Sequence, residues 1–422
     1  MNSAHRTNSS FAKFAFALLF GCAGSVLASA SLQAQETTPP AAPSTSAPAA
    51  APASAAPAAA AAAPAAAPVW SVGPIDFSGL VDGYYNYNAN HPPVSSYGNQ
   101  LRNFDFDANA FSLNMAKLSM SHDPDPIGFR VDLGFGKAFD FILANEPSFK
   151  HLEQAYVSVK PAKAKGFEAD FGEFVTSAGA EVIETKDNWN YSRSLLFSYA
   201  IPYFHVGLRT SMPLTKSFTG GVQVVNGWNN FTDNNSGKTI GLTGSYVKPK
   251  FTWSQNYYTG PENTGTNKGF RNLFDTTLLL TPTAKFNAYI NYDFVQNRNA
   301  APVLDNTGAA IPGSYQTTNL SKLQGIAVAA RYQATGTMAL AGRYEYVADN
   351  SGPGASIGTG AIQDLDEVTV TGEYKVPQGM LMRVEYRRDG SNIPYFHKGT
   401  SKMVDGQSTL ELGVVAFFGP KR

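Results

Sequence analysis

The sequence is poor in cysteine, in long apolar runs and in net charge. Its 422 residues include one cysteine, Cys22, so a scaffold held by internal disulfides is excluded. Outside the N-terminus no apolar run reaches the roughly 18 residues that a membrane-spanning helix requires. Lys plus Arg and Asp plus Glu are equal at 32 each, and no basic run indicates nucleic-acid binding. The pattern of the chain, rather than its composition, must therefore indicate its class.

The N-terminus has the pattern of an export signal, which we assign to residues 1–34. Arg6 and Lys13 precede an apolar stretch, and small residues permit cleavage after Ala30 or Ala34. The only cysteine lies within this segment, so the exported protein is expected to contain none.

Residues 35–72 are dominated by Ala and Pro. Such a segment has nothing to bury, and Pro interrupts helices, so we expect a disordered, semi-rigid periplasmic linker. It is either a plain spacer or a tether that threads the peptidoglycan.

The rest of the chain alternates between apolar and polar residues. From Ile75 to Phe418 there are sixteen segments in which every second residue is apolar, and 367–376 is the clearest case. Alternation predicts strands with one apolar and one polar face, which both a soluble sandwich and a membrane barrel would show. Between Phe111 and Met120 the apolar set changes phase, which predicts a β-bulge near Met115.

The connections between the segments decide between the two folds. Tight turns such as 122–126 alternate with long stretches that include 172–202, 297–322 and 389–408. Transmembrane barrels have short periplasmic turns at one end and long extracellular loops at the other. We therefore predict an all-β fold for residues 73–422: a transmembrane antiparallel up-and-down β-barrel of about sixteen strands.

Several motifs carry a family resemblance. They are Gly172-Glu173-Phe174, Asn190 to Phe197, Ala200-Ile201-Pro202, His205 with Gly207, Val225 to Trp228, Asp233-Asn234-Asn235, Tyr257-Tyr258, Gly260-Pro261-Glu262 and Arg343-Tyr344-Glu345. Together they resemble the putative β-barrel porin-2 family of bacterial outer-membrane proteins, from about Phe77 to the C-terminus. The resemblance implies a porin-like barrel and brings no catalytic residues. One departure is that Phe418 is followed by four residues, whereas outer-membrane strands commonly finish on a terminal aromatic.

Sixteen tilted strands enclose a lumen too wide for side chains to fill, as in aqueous porins. Charges at mid-depth on the lipid face would be destabilising, so the alternating charged positions are assigned to the lumen. The predicted pore-lining residues are Arg130, Asp132, Glu168, Asp170, Arg209, Asp293, Arg331, Arg343, Glu345, Glu373, Arg383, Glu385 and Arg387. For any single residue, an alternative is that it only solvates the wall and pairs across strands.

The third long connection, 172–202, is the longest in the barrel and is expected to fold inward and narrow the lumen. Its charged residues include Glu173, Glu181, Glu184, Asp187 and Arg193. Four of the predicted arginines lie on the opposite wall, so an acidic loop facing a partly basic wall would set up a transverse field. Removing Arg6 and Lys13 with residues 1–30 leaves 30 basic and 32 acidic residues, a formal charge of −2. Strong ion selectivity is therefore not predicted.

The sequence thus predicts an outer-membrane porin for passive diffusion of small hydrophilic solutes. Expected partners are outer-membrane lipids, lipopolysaccharide and the barrel-assembly machinery, with a homotrimer compatible with the pattern. A second hypothesis is a non-conducting barrel that anchors the envelope through its linker, and a third is an outer-membrane hydrolase. We find no His-Glu-x-x-His motif and only scattered histidines, so neither an enzyme, a metal site nor a cofactor is predicted.

Overall fold

The computed structural model describes residues 70–93, 98–144, 146, 148–376 and 379–420. In these residues sixteen strands form one closed antiparallel sheet. The strands are β1 (Ile75–Asn88), β2 (Ala110–His122), β3 (Ile127–Phe135), β4 (Leu152–Val159), β5 (Glu168–Val175), β6 (Phe204–Pro213), β7 (Phe218–Val225), β8 (Thr239–Lys248), β9 (Phe251–Pro261), β10 (Phe270–Leu280), β11 (Phe286–Leu304), β12 (Ala310–Gln333), β13 (Met338–Asn350), β14 (Ile362–Val376), β15 (Met380–Ser391) and β16 (Gly406–Phe418).

The sheet closes because the last strand pairs with the first. Leu410 of β16 lies opposite Tyr87 of β1, and every other strand pairs with its neighbours in the sequence. A two-residue strand, Ser71–Val72, folds back onto the start of β1. Closure satisfies the backbone groups that an open sheet would leave at its edges. The barrel predicted from the sequence is confirmed.

Helical structure is confined to the connections. Helix α1 (Lys137–Ile142) follows β3, and helix α2 (Leu195–Tyr199) precedes β6, together with a short 3-10 turn, Thr185–Asp187. A small hairpin, Phe396–Lys398 with Lys402–Val404, lies between β15 and β16. Among the described residues, every helix is too short or too polar to cross a membrane.

Side chains alternate between the two faces of the wall as the sequence predicts. In β14, Val370 is 48% exposed on the outer face, whereas the adjacent Thr371, on the inner face, is 1% exposed. Large apolar side chains dominate the outer face, and hydroxyl, amide and charged groups dominate the inner face. This arrangement matches an apolar exterior in lipid and a polar interior.

The connections between strands are short at one end of the barrel and long at the other. Turns at one end are as short as 249–250, between β8 and β9, and 214–217, between β6 and β7. At the other end lie the first loop (89–109), the second loop (136–151) and the third loop (176–203). These three names are used below.

The bulge predicted near Met115 is confirmed. Asp82 of β1 pairs with Met115, but the next residue, Gly83, pairs with Leu113, so Asn114 is the extra residue. The bulge explains why the apolar set of β2 changes phase, because one inserted residue moves all later side chains to the opposite face.

The prediction that 297–322 forms a long loop is wrong for most of its length. Strands β11 and β12 continue past their neighbours and form a hairpin whose turn is 305–309. The register shifts between Arg298 and Ala300 and again between Pro302 and Leu304. These shifts break the alternation, which is why the sequence pattern indicates a loop there.

Apolar side chains of the first three loops pack inside the barrel at the long-loop end. Phe104 of the first loop lies 5.9 Å, between ring centroids, from Phe197 of α2. Phe139 of α1 lies over inward-facing Gly134 of β3, and Leu196 contacts Gly325 of β12. These side chains belong to one buried cluster with inward residues of the wall. The predicted signal peptide and most of the linker lie outside the described residues.

Candidate functional site

The third loop crosses the interior of the barrel. It leaves β5 at residue 176, contacts inward side chains of walls that are far apart in the sheet, and returns to β6 at residue 203. One set of contacts, made by Ser177 and Gly179, is with β9 and β10, and another is with β1 and β2 on the opposite side of the ring. Between them the loop also contacts β13 and β15. A loop held at several walls occludes part of the cross-section.

Two carboxylates of the wall accept hydrogen bonds from the loop backbone. Glu385 of β15 accepts from the N–H groups of Tyr191, at 2.6 Å, and Ser192, at 3.0 Å. Glu345 of β13 accepts from the N–H of Leu195 at 2.7 Å, at the start of α2. Free N–H groups at a helix N-terminus favour a negative charge there. Each glutamate therefore binds backbone groups that would otherwise be buried without a partner.

Three arginines of the same wall donate to backbone carbonyls of the loop. Arg343 donates to the carbonyl of Ser192 at 2.9 Å and to the carboxylate of Glu181 at 2.6 Å. Arg387 donates to the carbonyl of Arg193 at 2.5 Å. Burial of these guanidinium groups requires several acceptors, and the loop backbone supplies them.

Arg383 makes the most extensive of these contacts. Its guanidinium donates to the carbonyls of Thr185 at 2.5 Å, Asn190 at 3.2 Å, and also Asn188. It is paired at 2.7 Å with Glu373, which in turn accepts from Arg331. One side chain thus fixes both ends of a turn in the loop.

We call this set of alternating charges on β12 to β15 the charged ladder. Its members are Arg331, Arg343, Glu345, Glu367, Glu373, Arg383, Glu385, Arg387 and Asp389. All are buried, all except Glu385 pair with other members, and five bind the third loop directly. The ladder is a binding surface for the loop backbone.

The opposite side of the loop is attached to β1 and β2. The hydroxyl of Tyr191 donates to Asp82 at 2.6 Å, and that of Thr185 donates to the same carboxylate at 2.5 Å. The ammonium of Lys117 contacts Glu184 of the loop. Burial alone would raise the pKa of Glu184, but Lys117 lowers it to about 2.

Lys117 also contacts a cluster of three carboxylates in the described residues. Carboxylate oxygens of Asp132, Glu153 and Glu184 lie within 4.8 Å of one another, a spacing that could hold a cation. The Lys117 ammonium lies 3.0 Å from Asp132 and contacts the other two carboxylates. The positive charge at this point is therefore supplied by the protein itself.

The structure is thus a barrel with an internal loop. Comparison of the sequence with protein-family models assigns it to a family. A family model described as "Putative beta-barrel porin-2, OmpL-like" matches residues 74–418. The chain belongs to this porin-2 family. Family and fold together place it in the bacterial outer membrane.

Solved structures share the fold of this porin-2 chain at low sequence identity. In-vitro folded OmpT, an outer membrane protein of Vibrio cholerae, is 15% identical, with a TM-score of 0.51 over 84% of this chain and 100% of that one. The outer membrane channel DcaP of Acinetobacter baumannii is 11% identical, with a TM-score of 0.51 over 82% and 97%. An anion-selective porin from Comamonas acidovorans is 10% identical, with a TM-score of 0.52 over 82% and 99%. No curated protein matches the sequence.

Other predicted site residues of this porin-2 barrel lie nearer the short-turn end. Arg209 pairs with Asp170 at 2.7 Å and lies over the ring of Phe174. Glu168 pairs with Lys160 at 3.0 Å. Arg130 pairs with Asp132 but keeps 35% of its side chain exposed. The structure brings these residues to the inner face, away from the charged ladder.

The sequence predicted that Glu173 belongs to the third loop, but in the structure it lies in β5. The strand continues through Gly172, whose φ of 138° favours glycine, and pairs Glu173 with Ala155 and Val206. Its carboxylate is buried without a hydrogen-bond partner in the described part of the chain. Because glycine is uncommon inside strands, the sequence pattern predicted that β5 ends before Gly172.

The sequence contains one Gly-x-Ser-x-Gly spacing, which is the pattern of a nucleophile elbow. It is Gly354-Ala355-Ser356-Ile357-Gly358, in the connection between β13 and β14. A nucleophile elbow needs a strand before the serine and a helix after it, and neither is present here. The hydroxyl of Ser356 accepts from Arg271 at 2.8 Å instead. Porin family and barrel fold favour a channel over an enzyme.

Proposed function

We propose that the barrel is a porin for passive diffusion of small hydrophilic solutes, with the third loop setting the size limit. The observation that carries this proposal is the attachment of the loop to Asp275 of β10 on one side of the ring and to Asp82 and Lys117 on the other, with the charged ladder holding it between them. A loop fixed at both sides gives a constriction of defined size, whereas a mobile loop would give a variable one.

The remaining path is proposed to run beside β3. Charged side chains that stay accessible along this path include Arg130 of β3, 35% exposed, and the loop residues Lys186 and Asp187, 31% and 40% exposed. Both signs of charge are present, so weak ion selectivity is expected, in agreement with the balanced total charge.

The predicted pore-lining residues are proposed to serve two different roles. Those of the charged ladder position the loop and reach no solute while it is attached. Arg130 and Glu168 lie nearer the short-turn end, keep 35% and 16% of their side chains exposed and would line the vestibule there, whereas Asp170 and Arg209 are buried against each other. The transverse field expected from the sequence would then arise around Arg130 rather than at the ladder.

A second candidate function is the non-conducting anchor. It is favoured by the apolar cluster that Leu101, Phe104 and Phe139 form with Phe197 of the third loop, which occupies part of the interior at the long-loop end. In this function the linker of residues 35–72 would connect a plugged barrel to the peptidoglycan.

We further propose that the protein is inserted by the outer-membrane assembly machinery, is surrounded by lipid and lipopolysaccharide, and forms a homotrimer. Large apolar side chains on the outer face, such as Phe111 and Phe171, require an apolar environment. One structure of OmpT from Vibrio cholerae is described as a trimer form. Mass measurement in detergent would separate a trimer from a monomer.

Liposome swelling tests the proposed transport directly. Vesicles that contain the purified barrel should swell in small sugars and amino acids, with rates that fall steeply as solute size increases. A matched control is the same barrel with Phe111 replaced by Leu on the outer face, which should swell equally. Absence of swelling with every solute would contradict the porin and favour the anchor.

A further inference from the structure

Two acids of the barrel wall face each other beneath the third loop. Asp275 of β10 lies directly opposite Asp293 of β11, both side chains are fully buried, and their carboxyl groups are in contact. The titratable groups that face them from neighbouring elements are Tyr258 of β9 and Glu345 of β13. The loop stretch packed on them, 176–180, carries no titratable side chain.

The hydrogen bonds distinguish the two acids. Asp275 accepts from the amide of Asn256 at 2.7 Å, from that of Asn291 at 3.0 Å and from the backbone N–H of Gly179 at 3.1 Å. Asp293 accepts only a 3.3 Å contact from Asn291, and its second oxygen has no partner in the described residues. Three donors stabilise a negative charge on Asp275, so the proton that two touching carboxyls must share belongs on Asp293.

The same residues attach the first limb of the third loop. Gly179 donates to Asp275, and the next residue, Ala180, donates to the side-chain oxygen of Asn291 at 3.3 Å. Asn291 also bridges the two acids. The pair and Asn291 therefore hold Gly179 and Ala180, whereas Ser177 is held separately by Asn256 and Tyr258.

We propose that Asp275 and Asp293 form a proton-dependent latch for the third loop. With a proton on Asp293, its O–H donates to Asp275 and the limb stays attached. Loss of that proton to water leaves two adjacent negative charges in a buried site, which separate or become hydrated and release Gly179 and Ala180. The loop is held at neutral pH and loosens in alkaline solution.

The test follows the loop itself. The exported protein has no cysteine of its own if cleavage removes Cys22, so Ala180→Cys would be a single reporter at the latch. Its labelling rate by a water-soluble thiol reagent is divided by that of Thr307→Cys, at the exposed hairpin turn, which corrects for the pH dependence of an exposed thiol. From neutral pH upward this ratio should rise at least about tenfold, because loss of one proton can change an equilibrium by up to about tenfold per pH unit.

Asp293→Asn is the matched variant, because its amide can donate permanently to Asp275. The labelling ratio should then stay low across the pH range, whereas Asp305→Asn, at the hairpin turn, should behave like the wild type. A flat ratio in the wild-type background, or an equal rise in Asp293→Asn, would overturn the latch. The wild-type profile decides alone if Asp293→Asn fails to assemble.

Conductance provides a second readout, and only this readout rests on the proposed porin function. Open-channel conductance should rise with pH in parallel with the labelling ratio in the wild type and stay constant in Asp293→Asn. A labelling change without current at any pH would retain the latch and refute the porin. Current without a labelling change would retain the porin and refute the latch.

Discussion

Replacing Arg383 by Ala should detach the third loop and increase conductance. The guanidinium donates to three loop carbonyls, those of Thr185, Asn188 and Asn190, and pairs with buried Glu373. Hydrogen bonds to charged groups contribute roughly 1.5–3 kcal/mol each. Removing one partner of a buried ion pair costs about 3–5 kcal/mol.

The ion pair with Glu373 lies within the wall, so the loop loses only the three hydrogen bonds. Bonds that share one guanidinium are not fully additive, and we expect the attachment of the loop to weaken by about 3–5 kcal/mol. This corresponds to roughly two to three and a half orders of magnitude in the ratio of attached to detached loop. Single-channel recordings should show larger and more variable steps for Arg383→Ala. Arg383→Lys should fall between, since an ammonium keeps the charge but loses the planar set of donors.

Arg388→Ala is the matched control. Arg388 lies on the same strand and donates to Ser408 rather than to the third loop, so its removal should leave conductance unchanged. If Arg383→Ala kept the wild-type conductance and changed only the reversal potential, Arg383 would face permeating ions. That result would refute the role of the charged ladder as a binding surface for the loop.

Three further predictions follow from the same geometry. Val370→Cys should react with a lipid-phase probe, whereas Thr371→Cys should resist a water-soluble thiol reagent until the third loop is shortened. Prompt labelling of Thr371→Cys in the intact barrel would mean that the third loop does not cover this position. Burial would raise the pKa of Glu184, but Lys117 lowers it from the ordinary value of 4.5 to about 2. The contact therefore stabilises the attached loop at pH values above 4.5, and this stabilisation is lost as the pH falls toward 2. Conductance should therefore stay constant from neutral pH to about 5 and rise only in stronger acid, and Glu184→Gln should remove that acid step. Deleting residues 37–68 should leave heat-modifiable migration on gels intact, and loss of assembly would mean that the linker is more than a spacer.

The barrel could be predicted from the sequence because alternation and loop length are local properties. The first residue of β1, Ile75, and the last residue of β16, Phe418, are the limits of the alternating pattern. Even the bulge at Asn114 is visible as a change of phase. Where register shifts interrupt the alternation, as between Arg298 and Leu304, the pattern no longer separates a strand from a loop.

The organisation of the interior could not be predicted in the same way. The sequence shows that Arg343, Arg383 and Glu385 have an inward phase, but not that their partners are backbone groups of the third loop. Those contacts join residues 151 to 198 positions apart, and backbone partners leave no residue type to recognise. The sequence shows only which charged side chains face inward, and on that basis it predicts a charged wall that faces the solute.

One signal for the packed interior was present. Loops that project into water should be poor in large apolar residues, yet the first three loops contain Leu101, Phe104, Phe139, Leu196 and Phe197. All five are buried in one cluster. Apolar residues in barrel loops can thus indicate which loops fold inward.

The most direct test of the account is single-channel conductance of the wild-type barrel beside a variant whose third loop is shortened over 177–189. We expect discrete small steps from the wild type. The variant should give larger steps and admit larger sugars, because the segment that crosses the lumen is removed. Equal conductance in both would mean that the third loop does not limit the path, and no conductance in either would contradict the porin.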